Sequence, residues 1–132
     1  MAKHRFNFSI AYADTDAGGI VYHGRYIEIA ERARMNWLKG KNIPHGDNFI
    51  IKNLNIDYKS PLRLGEDIWV ETDIIKVGNV SLDMVQQFIG ASNKLAATLN
   101  SKVAYVGPDM RLKAIPQQLY LAMLACMGRQ HS

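Results

Sequence analysis

The chain has 132 residues and a formal charge of +4, from 16 Lys and Arg against 12 Asp and Glu. Hydrophobic residues make up 48% and charged residues 21%, a mixture that suits one globular domain over 1–132 and excludes a disordered chain. No apolar run approaches the roughly 20 residues of a bilayer span, and Met1-Ala2-Lys3-His4-Arg5-Phe6 lacks the apolar stretch of a signal peptide, so a cytoplasmic protein is expected. The single Cys126 allows no internal disulfide and no cysteine-based zinc site. Lys and Arg are scattered and form no basic-aromatic stripe, which argues against a nucleic-acid partner.

Residues 5–12 alternate, with Phe6, Phe8, Ile10 and Tyr12 on one face, which predicts a half-buried strand. The run Asp14-Thr15-Asp16-Ala17-Gly18-Gly19 then supplies a turn. Tyr22, Tyr26, Ile29, Ala30, Ala33 and Trp37 recur at the 3.6 period of a helix, with Glu28 and Arg32 at the favourable i,i+4 spacing and Gly40 as the stop. After Pro44 and Gly46, Leu54, Ile56 and Tyr58 alternate with polar residues until Pro61 ends the strand. Residues 67–77 and 80–89 are joined by Gly78-Asn79, a two-residue hairpin signal that predicts antiparallel pairing. A strand over 95–106 follows, then a short amphipathic helix near Pro116 carrying Leu119, Tyr120, Met123, Leu124 and Met127. The order β-α-β-β-β-β-α predicts an α+β fold, an antiparallel sheet with the long helix on its concave face. The long strands carry apolar residues on both faces: Ile68, Val70 and Ile74 on one, Trp69 and Ile75 on the other. Either a second subunit or the C-terminal helix would cover the second face.

Residues 14–23 gather two carboxylates, two glycines, a histidine and a helix start. Unpaired amides at a helix N-terminus can stabilise an oxygen on which negative charge develops, and a carboxylate across from an acyl carbonyl can attack it or take a proton from water. Taken alone, Asp14 or Asp16 reads first as a turn and cap residue, with the glycines serving the backbone. His23 alone reads as a surface or packing residue, and His45 completes no metal spacing. No G-x-S-x-G elbow, phosphate loop or dinucleotide fingerprint is present, and Cys126 among Met123, Leu124 and Met127 reads as a buried structural thiol.

The run Tyr12-Ala13-Asp14-Thr15-Asp16-Ala17-Gly18-Gly19-Ile20-Val21-Tyr22-His23-Gly24-Arg25-Tyr26, followed by Glu31-Arg32-Ala33-Arg34, resembles the motif of hotdog-fold acyl-CoA thioesterases, in the 4-hydroxybenzoyl-CoA thioesterase and YbgC-like branch. The resemblance covers residues 4 to about 110 and implies a five-stranded antiparallel sheet wrapped round one long helix. It implies hydrolysis of an acyl-CoA or acyl-carrier-protein thioester without cofactor or metal. Asp16 matches the catalytic carboxylate, as nucleophile or general base, and His23 the site histidine, whose backbone N–H polarises the carbonyl. Tyr12 matches a substrate-binding tyrosine, and Asp14 an aspartate with a structural role in the turn. Gly24-Arg25 departs from the pattern, and Arg25 reads as either a phosphate contact or a solvated residue. The resemblance also implies a homodimer or homotetramer with the acyl pocket between subunits. A non-catalytic acyl-CoA or acyl-carrier binding module and a same-fold acyl-thioester hydratase are the alternative readings.

Overall fold

The computed structural model describes residues 4–127. Its strands are β1 (His4–Ser9), β2 (Asn48–Tyr58), β3 (Asp67–Val77), β4 (Ser81–Ile89) and β5 (Leu95–Val106), and its helices α1 (Arg25–Leu38) and α2 (Gln117–Cys126). The strands form one antiparallel sheet in the order β1-β3-β4-β5-β2, so β1 and β2 are its edges. The expected element order is therefore observed.

Alternation decides which face α1 covers. In β4, Leu82, Met84, Gln86 and Phe88 are buried while the residues between them are half-exposed. The α1 stripe of Tyr26, Ile29, Ala30 and Ala33 packs with Val70, Phe88, Ala97 and Leu99 in one core cluster. Gln86 ties the layers together by donating to the Ala30 carbonyl at 2.9 Å and to the Thr72 hydroxyl at 3.1 Å. The second cluster joins Trp37 at the end of α1 to Ile74, Leu82, Tyr105, and to Leu119 and Met123 of α2. The C-terminal helix thus extends the core on the α1 side and does not cover the other face, where Ile75 is 56% exposed. Trp69, also on that face, is instead overlaid by the Arg5 guanidinium at 4.2 Å. Cys126 is half-buried against the second cluster, less enclosed than its apolar neighbours suggest.

Boundaries and placements differ from the periodicity in five places. β1 stops at Ser9: the Ile10 amide still donates to the Glu66 carbonyl at 2.9 Å, in register with β3, but the Ile10 carbonyl accepts from Gly65 and not from Glu66, and the ladder ends there. Tyr12 falls in a single 3-10 turn (Tyr12–Asp14) and is 82% exposed, off the buried face that alternation assigned to it. α1 starts at Arg25, leaving Tyr22 outside the helical stripe and 40% exposed. β2 begins at Asn48, because a bulge between Ile51 and Asn53 resets the alternation and hides its first half from a period-two reading. The β3–β4 loop has three residues, with Val77 pairing Leu82 and the Val80 carbonyl accepting from the Tyr105 amide at 2.8 Å.

Candidate active site

The site is built where the turn after β1 meets the start of α1. Asp16 opens a tight turn: its carbonyl accepts from the Gly19 amide at 3.0 Å and its amide donates to the Ile20 carbonyl at 2.8 Å. Gly19 has φ +80°, the left-handed conformation this reversal needs and a β-carbon would strain. The Asp16 carboxylate caps its own turn, with Oδ1 accepting from the Gly18 amide at 2.8 Å and from Ile20 at 3.4 Å. The side chain is exposed. The returning segment is held on both sides, by a bridge between Thr15 and Val21 and by Val21 and Gly19 bonding to Leu62 and Leu64.

This segment delivers the chain to α1 with its first amides free. Gly24 is already helical (φ −68°, ψ −22°) and no side chain caps the helix. Among the described residues, the amides of His23 and Gly24 donate to no acceptor. They are the orphan donors of a helix N-terminus, where the macrodipole adds a partial positive charge. The peptide between them is fixed from outside: the Tyr58 hydroxyl donates to the His23 carbonyl at 2.9 Å. The Tyr58 ring meets His23 edge-on at 4.8 Å and Tyr26 at 5.1 Å, and Tyr26 meets Phe88 at 5.2 Å. A line of aromatic contacts therefore runs from the fully buried Phe88 to the exposed His23. Burial pushes both phenols upward; at Tyr26 an accepted bond from the Leu62 amide opposes it.

These groups surround an open cavity of about 330 Å³, floored by Ile20 and Val21 and walled by His23, Tyr26, Tyr58, Lys59, Ser60 and Pro61. A larger groove of about 540 Å³ between β1 and α1 is lined by Phe6 and by Glu28, Glu31, Arg32, Met35, Asn36 and Lys39 of the helix, and its lining includes neither His23 nor Gly24.

The structure sorts the expected site residues. His23 lines the cavity at the helix start. Asp16 stands in the adjoining turn and is not part of the lining in a single chain. Tyr12 lies outside it, on the exposed 3-10 turn. Asp14 is buried, at 5% exposure, accepting from the Ala11 amide and the Arg25 Nε, both at 2.8 Å. Arg25 also pairs with Glu28 and donates to the Ala13 carbonyl at 3.2 Å. It is a clamp between the 3-10 turn and the first turn of α1, neither a free phosphate contact nor a solvated residue, and the bond to Glu28, then that to Asp14, raises its pKa. Tyr58, Tyr26 and the 59–61 wall were missed by sequence reasoning, since only the β5–β2 pairing brings the end of β2 to the helix start. No group of three or more His, Cys, Asp or Glu among the described residues could hold a metal, and no helix among them is long and apolar enough to cross a membrane.

The chain is similar to known thioesterases in sequence and in fold. The model of the thioesterase-like superfamily matches residues 10–122. The acyl-CoA thioester hydrolase YbgC of Escherichia coli O6:H1 is 30% identical over 122 residues, covering 87% of this chain and 91% of that protein. The acyl-CoA thioesterase YbgC of Haemophilus influenzae is 31% identical over 132 residues, covering 92% and 96%. Among solved structures, the BH1999 gentisyl-coenzyme A thioesterase superposes with TM-score 0.82 at 22% identity, covering 90% of this chain and 98% of that one.

Proposed function

The chain belongs to the thioesterase-like superfamily and has its hotdog fold, and from that premise we propose that it hydrolyses acyl-CoA thioesters to the free acid and CoA. The observation that carries this reading is the uncapped N-terminus of α1 opening on a cavity beside a carboxylate-bearing turn. The thioester oxygen accepts from the His23 and Gly24 amides, which stabilise the charge it gains in the tetrahedral intermediate. Asp16 Oδ2, which has no partner among the described residues, supplies the electron pair. It attacks the carbonyl carbon itself, or takes a proton from a water whose oxygen does so. The C–S bond then breaks and the thiolate leaves with its electron pair, needing little acid help because a thiol ionises near pKa 8.5; on the direct-attack route water then adds to the acyl–Asp16 anhydride, whose C–O bond breaks to release the acid and restore the carboxylate.

In this reading the working unit is a homodimer. β2 is a free sheet edge of eleven residues with Ile51 37% exposed, a surface that a second chain would cover. The second copy also walls the open side of the cavity near Asp16 and Tyr12, and a dimer of dimers covers the Ile75 face. A cytoplasmic location follows from the substrate.

The test is release of free thiol from a panel of aliphatic and aromatic acyl-CoAs and an acyl-carrier-protein thioester, with and without EDTA. The expected outcome is turnover of an acyl-CoA that survives EDTA. Saturable binding without thiol release would establish a binding module instead, and loss of enoyl absorbance without thiol release a hydratase.

A further inference from the structure

Arg25 is the first residue of α1, where a cation opposes the positive end of the helix macrodipole. Helix stability alone therefore does not account for an arginine here, at a position where the chain also departs from the motif it otherwise resembles. Its guanidinium is spent on two elements. Nε donates to Asp14 Oδ1 at 2.8 Å and Nη2 to the Ala13 carbonyl at 3.2 Å, both in the 3-10 turn that precedes Asp16, while Nη1 pairs with Glu28 on α1 itself. Its Cζ lies 5.8 Å from the centre of the Tyr22 ring, beside His23. Asp14 is itself fixed, because it is buried and its Oδ2 accepts from the Ala11 amide at 2.8 Å, so Arg25 is anchored to an enclosed carboxylate.

The bond to Asp14 closes a loop, since the two residues stand 11 positions apart. Every group that the hydrolytic reading uses lies inside that loop: Asp16 just after its start, and the His23 and Gly24 amides just before its end. The first part is cross-linked within itself, by the Asp16 amide to the Ile20 carbonyl and by the bridge between Thr15 and Val21, and Val21 is tied to Leu62. Among the described residues, no backbone hydrogen bond joins residues 22–24 to that turn. They are held by the Tyr58 hydroxyl on the His23 carbonyl and by the Arg25 side chain reaching back to residues 13 and 14. Arg25 does not line the cavity at the helix start. It therefore acts on a substrate seated there only through where it places the groups that do.

Resting on the thioester-hydrolase reading above, we propose that Arg25 is a positioning residue for the reaction: by bonding Asp14 and Ala13 it fixes the distance between the Asp16 carboxylate and the amides of His23 and Gly24. Reacting groups misplaced by about 1 Å lose about 100-fold in rate, and a segment released at one of its two holds forfeits part of that. In Arg25→Gln, kcat on the best acyl-CoA falls about 10- to 30-fold with KM within about twofold, measured by thiol release well below the melting temperature. Arg25→Lys keeps the charge but not the planar fork, so it recovers little of kcat, and it carries the test should Arg25→Gln not fold. Glu28→Gln removes a bond within α1 and leaves the hold on the turn, so its kcat stays within about twofold of wild type. Adding Asp14→Asn to Arg25→Gln lowers kcat little further, because both act through one link. Wild-type kcat in Arg25→Gln, full recovery in Arg25→Lys, or multiplied losses in the double variant overturns the proposal. Amide order parameters of His23 and Gly24 from NMR relaxation read the same hold without turnover, and they fall in Arg25→Gln and in Arg25→Lys. A wild type that releases no thiol from any acyl-CoA overturns the hydrolase reading, and order parameters unchanged in the variants then refute the hold by Arg25 as well.

Discussion

Replacing Tyr58 by phenylalanine removes one oxygen and leaves the ring in its contacts with His23 and Tyr26. The lost bond is the one from the hydroxyl to the His23 carbonyl, 2.9 Å long, at a residue 42% exposed. A neutral hydrogen bond contributes about 0.5–1.5 kcal/mol net, and water reaches this one, so the lower end applies. For a chain of this size that is a fall in Tm of about 2 °C. The catalytic effect is larger, because the same carbonyl belongs to the peptide whose N–H is that of Gly24. Removing an oxyanion donor outright costs about 100- to 1,000-fold in kcat. Loosening the peptide that carries one of two donors forfeits part of that, so kcat falls about 5- to 20-fold with KM within about twofold. Steady-state thiol release with parallel thermal melts measures both quantities, and the pH profile keeps its shape because Tyr58 transfers no proton. Tyr58→Phe with wild-type kcat, or with its loss confined to KM, would refute the positioning of the amides by this hydroxyl.

Two further outcomes concern stability. Gly46 has φ +87°, and a β-carbon there would lie 2.8 Å from Pro108 Cγ; Gly46→Ala therefore costs about 1–2 kcal/mol for the left-handed backbone and more for the contact, and an unchanged Tm would contradict it. Acid destabilises the fold in two stages. Burial holds His4 below its ordinary value, with Lys41 adding to the effect and its bond to Asn36 opposing it. The fold thus favours the neutral ring, and this contribution is complete above about pH 6.5 and lost as pH falls through the lower folded value. Asp47 is also held low, by the Tyr105 hydroxyl at 2.6 Å and then Lys113 at 2.9 Å, so its contribution is complete above about pH 4 and lost as pH falls through its folded value. Tm should drop in those two windows, His4→Gln flattening the first and Asp47→Asn the second; a Tm that rises on acidification through either would contradict the signs.

Much of the fold was legible because alternation and the 3.6 period are local. β5 was located with its observed bounds, and the hidden half of β2 shows the limit of the method: one inserted residue shifts every later side chain to the other face. Tyr12 is off the expected face because the alternating pattern runs on past the end of the β1–β3 ladder, where the chain closes a 3-10 turn with the Asp14 amide donating to the Ala11 carbonyl. The site divided the same way. Asp16 and His23 share one continuous stretch, so a motif could display both, whereas Tyr58 reaches the helix start only through a strand order that no spacing reveals. The Arg25 clamp was hidden because its three acceptors, on Asp14, Ala13 and Glu28, converge only once the 3-10 turn folds against α1.

The central claim is that the Asp16 carboxylate supplies the electron pair for thioester hydrolysis, and the most direct measurement is turnover of Asp16→Asn on the best acyl-CoA substrate. Asparagine retains an oxygen to accept from Gly18, so the turn and the melting curve should stay near wild type. The loss of charge should still lower kcat on the order of 100-fold or more. Asp14→Asn supplies the contrast: it weakens the Arg25 clamp, lowers Tm, and leaves turnover closer to wild type. An Asp16→Asn enzyme with near-normal turnover, beside a folded Asp14→Asn enzyme with none, would contradict the assignment and move the chemistry to the other carboxylate.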